Sequence, residues 1–280
     1  MSSESGAPTA RRPRWPHLIL IPFTALTLVP AIWVLKMALR PEQSFDNSLS
    51  PWPTQWSLDN FIKIFLEPYT LQQLANSLLI SGMTTVVGIS FSTTAAYALS
   101  RYRFPGRQAG LMGLLVTQMF PGTLMMIPLY QLLDFLGLLD RSLGLILVYS
   151  ATAIPFCVWS LKGYFDTIPR ALEESAIMDG ASPLVLFWKI ILPLSRPAIA
   201  VTALFSFMTA WNEYILAATF LSDEAAYTYP VRLQQYVGVY TTKWGYFAAG
   251  ALIVSLPVML LFFALQRQLI GGLTAGAVKG

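Results

Sequence analysis

The sequence predicts an all-α membrane protein: a bundle of six transmembrane helices joined by polar loops. Its 280 residues are 55% hydrophobic and only 11% charged, and the mean hydropathy is +0.57. Soluble domains carry about 25% charged residues, so this chain has too few polar groups to cover its surface in water. A spanning helix needs roughly 20 residues. The length therefore accommodates several spans and their loops.

Six apolar segments follow one another along the chain. The first is too long for the core of a signal peptide and has no small-residue cleavage site, so we expect an uncleaved span. The third contains Pro121, Gly122 and Pro128, and we expect it to be kinked or broken. The expected spans cover about residues 17–39, 74–100, 108–133, 143–161, 196–221 and 245–265, between an N-terminal segment 1–16 and a Gly-rich tail 266–280.

The basic residues are divided unevenly between the two sets of loops. Twelve Lys and Arg lie in the N-terminal segment, the second loop, the fourth loop (162–195) with the adjoining Arg196, and the tail. Five lie in the first, third and fifth loops. Cytoplasmic loops of membrane proteins carry the excess of Lys and Arg. We therefore expect both termini and the fourth loop in the cytoplasm.

The fourth loop carries signals for two short helices. Thr167 is expected to cap the first helix, and Gly180 to end it in the left-handed conformation. Ser182 and Pro183 are expected to start the second helix, which Pro193 stops or kinks. Such an element can transmit force from a soluble partner to the spans on either side. Local physics alone also fits an ordinary amphipathic connector.

A spaced motif runs through this loop. Three consecutive residues are followed after three positions by a glycine, and after nine more by an Ile-x-Leu-Pro sequence. The pattern resembles the EAA loop of permease subunits of ABC importers, with one serine in place of an alanine. The resemblance implies a coupling helix that docks on a separate ATPase subunit. The motif residues are Glu174, Ser175, Ala176, Gly180, Ile190, Leu192 and Pro193.

The resemblance covers most of the chain from about residue 74 and is strongest to carbohydrate permeases of the maltose type. It implies a six-span bundle in a prokaryotic plasma membrane that imports maltose or maltodextrin. Another oligosaccharide, trehalose or a polyol phosphate stays open as the alternative. The segments that carry it are 92–98, 101–106, 118–121, 158–165, 233–236 and 272–280.

The same resemblance implies the partners. They are a second permease subunit forming a heterodimer, two copies of an ATPase subunit, an extracytoplasmic sugar-binding protein and the lipid bilayer, with no nucleic acid. ATP and Mg would be used by the ATPase, and this chain would bind no cofactor. In the family the tail reaches the ATPases, which implies contacts by Thr274, Gly276 and Lys279. The fifth loop, 222–244, would touch the binding protein.

Trp211, Asn212 and Glu213 are the candidate pathway residues. Glu213 is the only acidic residue expected inside a span, and a charge in hydrocarbon is costly, so it should face the bundle interior or a cavity. Its alternative role is a pair with a polar neighbour, and Trp211 and Asn212 are equally typical of interhelical packing. Glu173 and Glu174 point about 100° apart on a helix, so they are not a catalytic pair. We expect both to pair with basic groups of a partner.

Other functional classes lack the residues that they need. The chain has one histidine, His17, and one cysteine, Cys157, and it contains neither a Walker-type phosphate loop nor a paired-acid constellation. A metal site, ATP hydrolysis by this chain and an intramembrane enzyme are therefore not expected. An ion-coupled secondary transporter would normally show intramembrane charges or an inverted repeat. We expect no catalytic residue and no metal ligand.

Overall fold

The structure, a computed structural model, describes residues 15–238 and 240–277, with the side chains of 17–238 and 240–268. In this part of the chain, α-helices dominate and a single isolated bridge pairs Val237 with Thr242. The helices are α1 (Trp15–Ala38), α2 (Asp59–Leu66), α3 (Thr70–Arg101), α4 (Arg107–Thr117), α5 (Met126–Phe135), α6 (Ser142–Thr167), α7 (Arg170–Met178), α8 (Pro183–Leu186), α9 (Leu192–Leu194), α10 (Arg196–Trp211), α11 (Ile215–Phe220), α12 (Tyr229–Gln234) and α13 (Trp244–Ala277).

Four of the described helices, α1, α3, α6 and α13, are long and apolar enough to cross a membrane. Two further pairs of helices are together long and apolar enough, but each pair is bent. The bend is 93° between α4 and the stretch Gly122–Phe135, and 77° between the stretch Pro183–Leu194 and α10. Counting each bent pair as one span gives six. The first bend falls at the Pro-Gly pair, where the helix was expected to break.

The two largest departures from the expected helix boundaries are at the ends of the fifth and sixth spans. The fifth span was expected to run over 196–221, but α10 ends at Trp211, and a short separate helix, α11, follows. The Glu213 carboxylate bonds the free N–H groups that start this new helix. The sixth span was expected to end at 265, but α13 continues to Ala277. No proline interrupts this stretch, and its glycines weaken the helix without ending it.

Helix α3 forms the centre of the bundle and packs against α6 and α10. Its contact face carries small hydroxyl residues, among them buried Ser77, Ser92 and Thr84, and small residues let membrane helices approach closely. A side chain at Gly88 would lie only 3.4 Å from Ser206 Oγ of α10. Helix α1 lies against α13 and exposes most of its apolar surface, as expected of a helix that faces lipid.

The bundle has two polar ends, which differ in their loops. The loop end carries residues 39–69 and 221–243, and the EAA end carries residues 102–106 and 168–195. At the loop end, the buried Asn60 amide donates to the carbonyls of Ala38 and Arg40, at 2.9 and 2.6 Å. It also accepts from Gln43 Nε2 at 2.7 Å. These bonds fix the first loop beside the start of α13, which Gln43 also contacts.

Candidate functional site

The motif residues lie in a helical hairpin at the EAA end, formed by α7, a glycine turn and α8 with the turns that follow it. Helix α7 begins after Pro169, which is extended, and not at a cap from Thr167 as expected. Thr167 is instead the last residue of α6, and its hydroxyl donates back to the Tyr164 carbonyl at 2.7 Å. A residue before proline avoids the helical region, so Ile168 is extended and α6 ends before it.

Gly180 forms the turn of the hairpin with a φ of +85°, in the left-handed region as predicted. Its N–H donates to the Ile177 carbonyl at 2.9 Å, and the Ala181 N–H donates to the Ala176 carbonyl at 2.9 Å. This pattern is a Schellman motif, in which glycine is preferred because side chains are strained at positive φ. The motif's Ala176 and Gly180 thus cooperate in closing one turn.

The second helix starts as the sequence predicts. Ser182 Oγ accepts from the Val185 N–H at 3.4 Å, and Pro183 occupies the first helical turn. Pro193 does not stop this helix, which runs on to Leu194 after a π-helical turn at Phe187–Ile191. Proline has no N–H to donate to the preceding turn of a helix. The widened turn at Phe187–Ile191 lies just before Pro193, where that hydrogen bond is missing. The chain then bends into α10 at Ser195.

One side of the hairpin is buried and the other is exposed. Phe187 and Ile191 pack with Tyr97, Leu161 and Phe165 in a core cluster that joins the hairpin to α3 and α6. Of the motif residues, Glu174, Ser175 and Gly180 are exposed, and Ala176, Ile190, Leu192 and Pro193 are half-buried. The exposed side, called here the hairpin face, consists of Leu172, Glu174, Ile177, Met178, Leu184 and Trp188.

The hairpin face is apolar although it lies at a polar end of the bundle. Met178 is 88% exposed, Leu184 71% and Trp188 64%. Large apolar side chains exposed at such a place are typical of a protein or membrane contact. Glu174 stands among them with an exposed carboxylate, which suits a partner that offers a basic group.

The two adjacent glutamates of α7 have different surroundings. Glu174 faces outward, whereas Glu173 is buried and accepts from Arg101 Nε at 2.5 Å. The expectation that both would pair with a partner is therefore wrong for Glu173, which is already paired within the chain. Adjacent helical residues point in different directions, so one α7 position can face the bundle and the next can face away.

Sequence reasoning missed the residues around this pair. Arg101 also donates to Ser100 Oγ at 2.9 Å, and Ser100 donates to Asp166 Oδ1 at 2.6 Å. Lys162 completes the group through Asp166 Oδ2 at 2.5 Å. The sequence does show that Arg101 lies at the end of the second span and that Glu173 lies in the fourth loop. It does not show that the two side chains meet, because that depends on how α3 packs.

The candidate pathway residues occupy the break between α10 and α11. Trp211 is 1% exposed, and its Nε1 donates to the Val254 carbonyl of α13 at 3.0 Å. Glu213 accepts from Tyr149 Oη at 2.7 Å and from the N–H groups of Leu216 and Ala217 at 2.9 and 3.0 Å. Both side chains are thus engaged within the bundle. Asn212 is exposed and borders a cavity of about 250 Å³.

The tail residues fall partly outside the described region. Thr274 and Gly276 lie in the last turns of α13, with only their backbone described, and Lys279 lies outside the described residues. Among the described residues, no group of three His, Cys, Asp or Glu side chains is placed to hold a metal ion. Cys157 is buried in α6 and donates to the Thr202 carbonyl.

Comparison with known proteins places the chain in a protein family. Residues 88–273 match the family model for the binding-protein-dependent transport system inner membrane component. The maltose/maltodextrin transport system permease protein MalG of Salmonella typhimurium is 39% identical, over 94% of this chain and 95% of that protein. MalG of Escherichia coli K12 is 38% identical with the same coverage.

Solved structures share the fold. A bacterial ABC transporter that imports the acidic polysaccharide alginate superposes with a TM-score of 0.76 at 23% identity, covering 93% of this chain and 99% of that one. A chain of the alginate transporter in complex with an alginate-pentasaccharide-bound periplasmic protein gives 0.67 at 16% identity, covering 91% and 93%. These likenesses confirm the predicted all-α permease bundle. The chain belongs to the binding-protein-dependent transport inner-membrane family, and it is a multi-pass permease subunit of an ABC importer, a transport component and not an enzyme.

Proposed function

We propose that this chain forms part of the translocation pathway of an ATP-driven importer for maltose and maltodextrins. The hairpin of α7 and α8 carries the proposal, because its exposed side, at one end of the bundle, combines large apolar side chains with the Glu174 carboxylate. A separate ATPase that docks there can move the attached helices. The substrate is inferred from the full-length likeness to maltose/maltodextrin permeases.

The broken third span is proposed to pack against a second permease subunit. Residues 115–125 are all exposed, and the backbone is irregular at 118–121. Irregular backbone inside a membrane must be buried in protein or line a water-filled cavity, because lipid offers no hydrogen bonds. A second permease, with the pathway between the two subunits, supplies both conditions.

A cavity of about 580 Å³ opens next to this break, between α4, α6 and α10. Its wall includes Gln118, whose amide donates to the Thr152 carbonyl at 2.9 Å. Asn212 is exposed beside another cavity, and its amide donates to the Met208 carbonyl at 2.9 Å. The proposed pathway therefore runs along the surface that carries these two amides.

The proposed orientation places the EAA end and both termini in the cytoplasm. The excess of Lys and Arg at the termini and in the EAA-end loops supports it. A binding protein would then meet the loop end, where Val237 bridges to Thr242 and Tyr240 is 97% exposed. Two ATPase copies, one under each permease, would hydrolyse ATP with Mg.

The test is purification of the complex after expression with the neighbouring genes, followed by ATPase assays with the sugar-loaded binding protein. We expect a second permease and an ATPase to co-purify, and maltose or maltotriose with the binding protein to raise ATP turnover. Stimulation by trehalose or a polyol phosphate instead would change the substrate but keep the importer. Purification without any ATPase would overturn the proposed docking role of the hairpin.

A further inference from the structure

The Arg101 side chain joins three parts of the EAA end through one guanidinium group. Its Nε donates to Glu173 of α7 at 2.5 Å, and its Nη1 donates to Ser100 of α3 at 2.9 Å. Its Nη2 reaches the Ile168 carbonyl, in the link between α6 and α7, at 3.3 Å. A planar guanidinium can hold several acceptors in fixed geometry, so these three elements are held in one arrangement.

The group continues from α3 to α6 through side chains. Ser100 Oγ donates to Asp166 Oδ1 at 2.6 Å, and Asp166 Oδ2 accepts from Lys162 Nζ at 2.5 Å. Lys162 and Asp166 lie one turn apart on α6. A continuous set of ion pairs and hydrogen bonds thus runs from α7 to the ends of α3 and α6.

Burial makes the central pair hard to separate. The side chains of Arg101 and Glu173 are only 8% and 11% exposed. Removing one partner of such a pair leaves the other charge buried and uncompensated, which is strongly destabilising. A displacement of α7 that kept the pair intact would therefore carry the end of α3 with it.

Helix α3 needs such a contact because the chain does not connect it to the hairpin. The hairpin is joined covalently to α6 through residues 168–169 and to α10 through Ser195. Helix α3, at the centre of the bundle, contacts the hairpin region only across space, through Arg101 and the apolar cluster around Tyr97. The apolar contacts are non-directional, whereas the ion pair fixes a direction and a register.

We propose that the buried Arg101–Glu173 ion pair, supported by Ser100, Asp166 and Lys162, transmits the movement of the hairpin to α3 and α6 during transport. The proposal rests on the proposed function, in which an ATPase moves the hairpin. Glu174 contacts the partner, and Glu173 transfers the displacement inward. Arg101 and Glu173 are therefore positioning residues, which act on the pathway through the helices that they join.

The test uses the complete importer in proteoliposomes and measures sugar uptake and ATP hydrolysis in the same preparation. For Glu173→Gln, we expect the ATP hydrolysed per sugar imported to rise about tenfold, within the range of coupling between distant sites, while the ATPase stays bound. The double variant R101E/E173R should recover part of the lost uptake, because it restores an ion pair with reversed charges. Arg103→Gln, an exposed cation of the same turn, is the matched control and should behave as wild type.

The outcomes separate this proposal from the proposed function. The transmission role is overturned, and the importer stands, if the wild-type complex imports sugar and Glu173→Gln hydrolyses the same amount of ATP per imported sugar as Arg103→Gln does. If Glu173→Gln loses the ATPase during purification, the pair supports docking and the transmission role is also overturned. If the wild-type complex neither binds an ATPase nor imports sugar, the proposed function itself fails.

Discussion

At the loop end of the bundle, charged side chains bond one another, whereas at the EAA end the residues of the hairpin face are exposed. Lys36, nearly fully buried, contacts Asp46 Oδ2 at 2.8 Å and Ser48 Oγ at 2.7 Å. The hydrogen bond from Lys36 holds the pKa of Asp46 well below its usual range. Across the same end, Arg232 contacts Glu67 at 2.6 Å and joins α12 to the end of α2.

The EAA end makes fewer contacts of this kind with its own hairpin. Glu173 is the one carboxylate of α7 that pairs within the described residues, through Arg101. Glu174, Met178 and Trp188 face away from the bundle. Internally satisfied polar groups stabilise a loop by themselves, whereas an exposed apolar face gains stability from a partner. We therefore expect the loop end to keep its structure through contacts within this chain, and under the proposed function the hairpin is covered by the ATPase subunit.

The largest effect is expected at the glycine turn of the hairpin. Gly180→Val should lower sugar uptake by at least about tenfold while ATP hydrolysis continues, because a β-branched residue is strained at positive φ. The measurement is uptake and hydrolysis in the reconstituted complex. Gly180→Asn is the matched control, since asparagine tolerates the left-handed conformation, and it should retain most of the uptake. Normal uptake by the valine variant would contradict the docking assignment.

A smaller effect is expected at Tyr236, in the loop-end cluster. Burial, followed by the hydrogen bond to the Glu67 carboxylate, raises the pKa of Tyr236 well above its usual value of about 10. A folded pKa above the unfolded one contributes stability that is complete below about pH 10 and is lost as the pH rises through the folded pKa. Tyr236→Phe should therefore be less stable by about 1–2 kcal/mol at neutral pH.

The melting temperature as a function of pH checks this prediction. The wild-type protein should lose stability more steeply above pH 10 than Tyr236→Phe does. Tyr240→Phe is the control, because that side chain is 97% exposed, and its curve should coincide with that of the wild type. Parallel curves for wild type and Tyr236→Phe would show that the hydroxyl does not contribute through Glu67.

The smallest effect on transport is expected at Glu213. Its carboxylate bonds the first N–H groups of α11 and the Tyr149 hydroxyl, so Glu213→Ala should lower stability by about 1 kcal/mol, as for a lost helix cap. Glu213→Gln keeps an acceptor oxygen and should import sugar at close to the wild-type rate. A large loss of uptake in Glu213→Gln at an unchanged melting temperature would instead assign Glu213 to the pathway.

The sequence predicted the parts that depend on local patterns. Apolar length located the spans, and the Ser182-Pro183 pair and Gly180 predicted the start and turn of the hairpin. The break after Trp211 was missed although Asn212 and Glu213 interrupt the apolar sequence there, because apolar residues resume at Ile215. Only the fold brings Tyr149 to Glu213. The Arg101–Glu173 pair was missed for the same reason, since its members lie 72 residues apart and meet only when α3 packs beside α6.

The most direct test of the difference between the two ends is thiol cross-linking in the assembled complex. Met178→Cys places a reactive group on the hairpin face, and Tyr240→Cys places one on the loop-end turn; the native Cys157 is buried. We predict that Met178→Cys cross-links to the ATPase and Tyr240→Cys to the sugar-loaded binding protein. The reverse pattern, or an assembled complex that hydrolyses ATP while Met178→Cys gives no cross-link to the ATPase, would contradict the assignment of the hairpin as the ATPase-docking element.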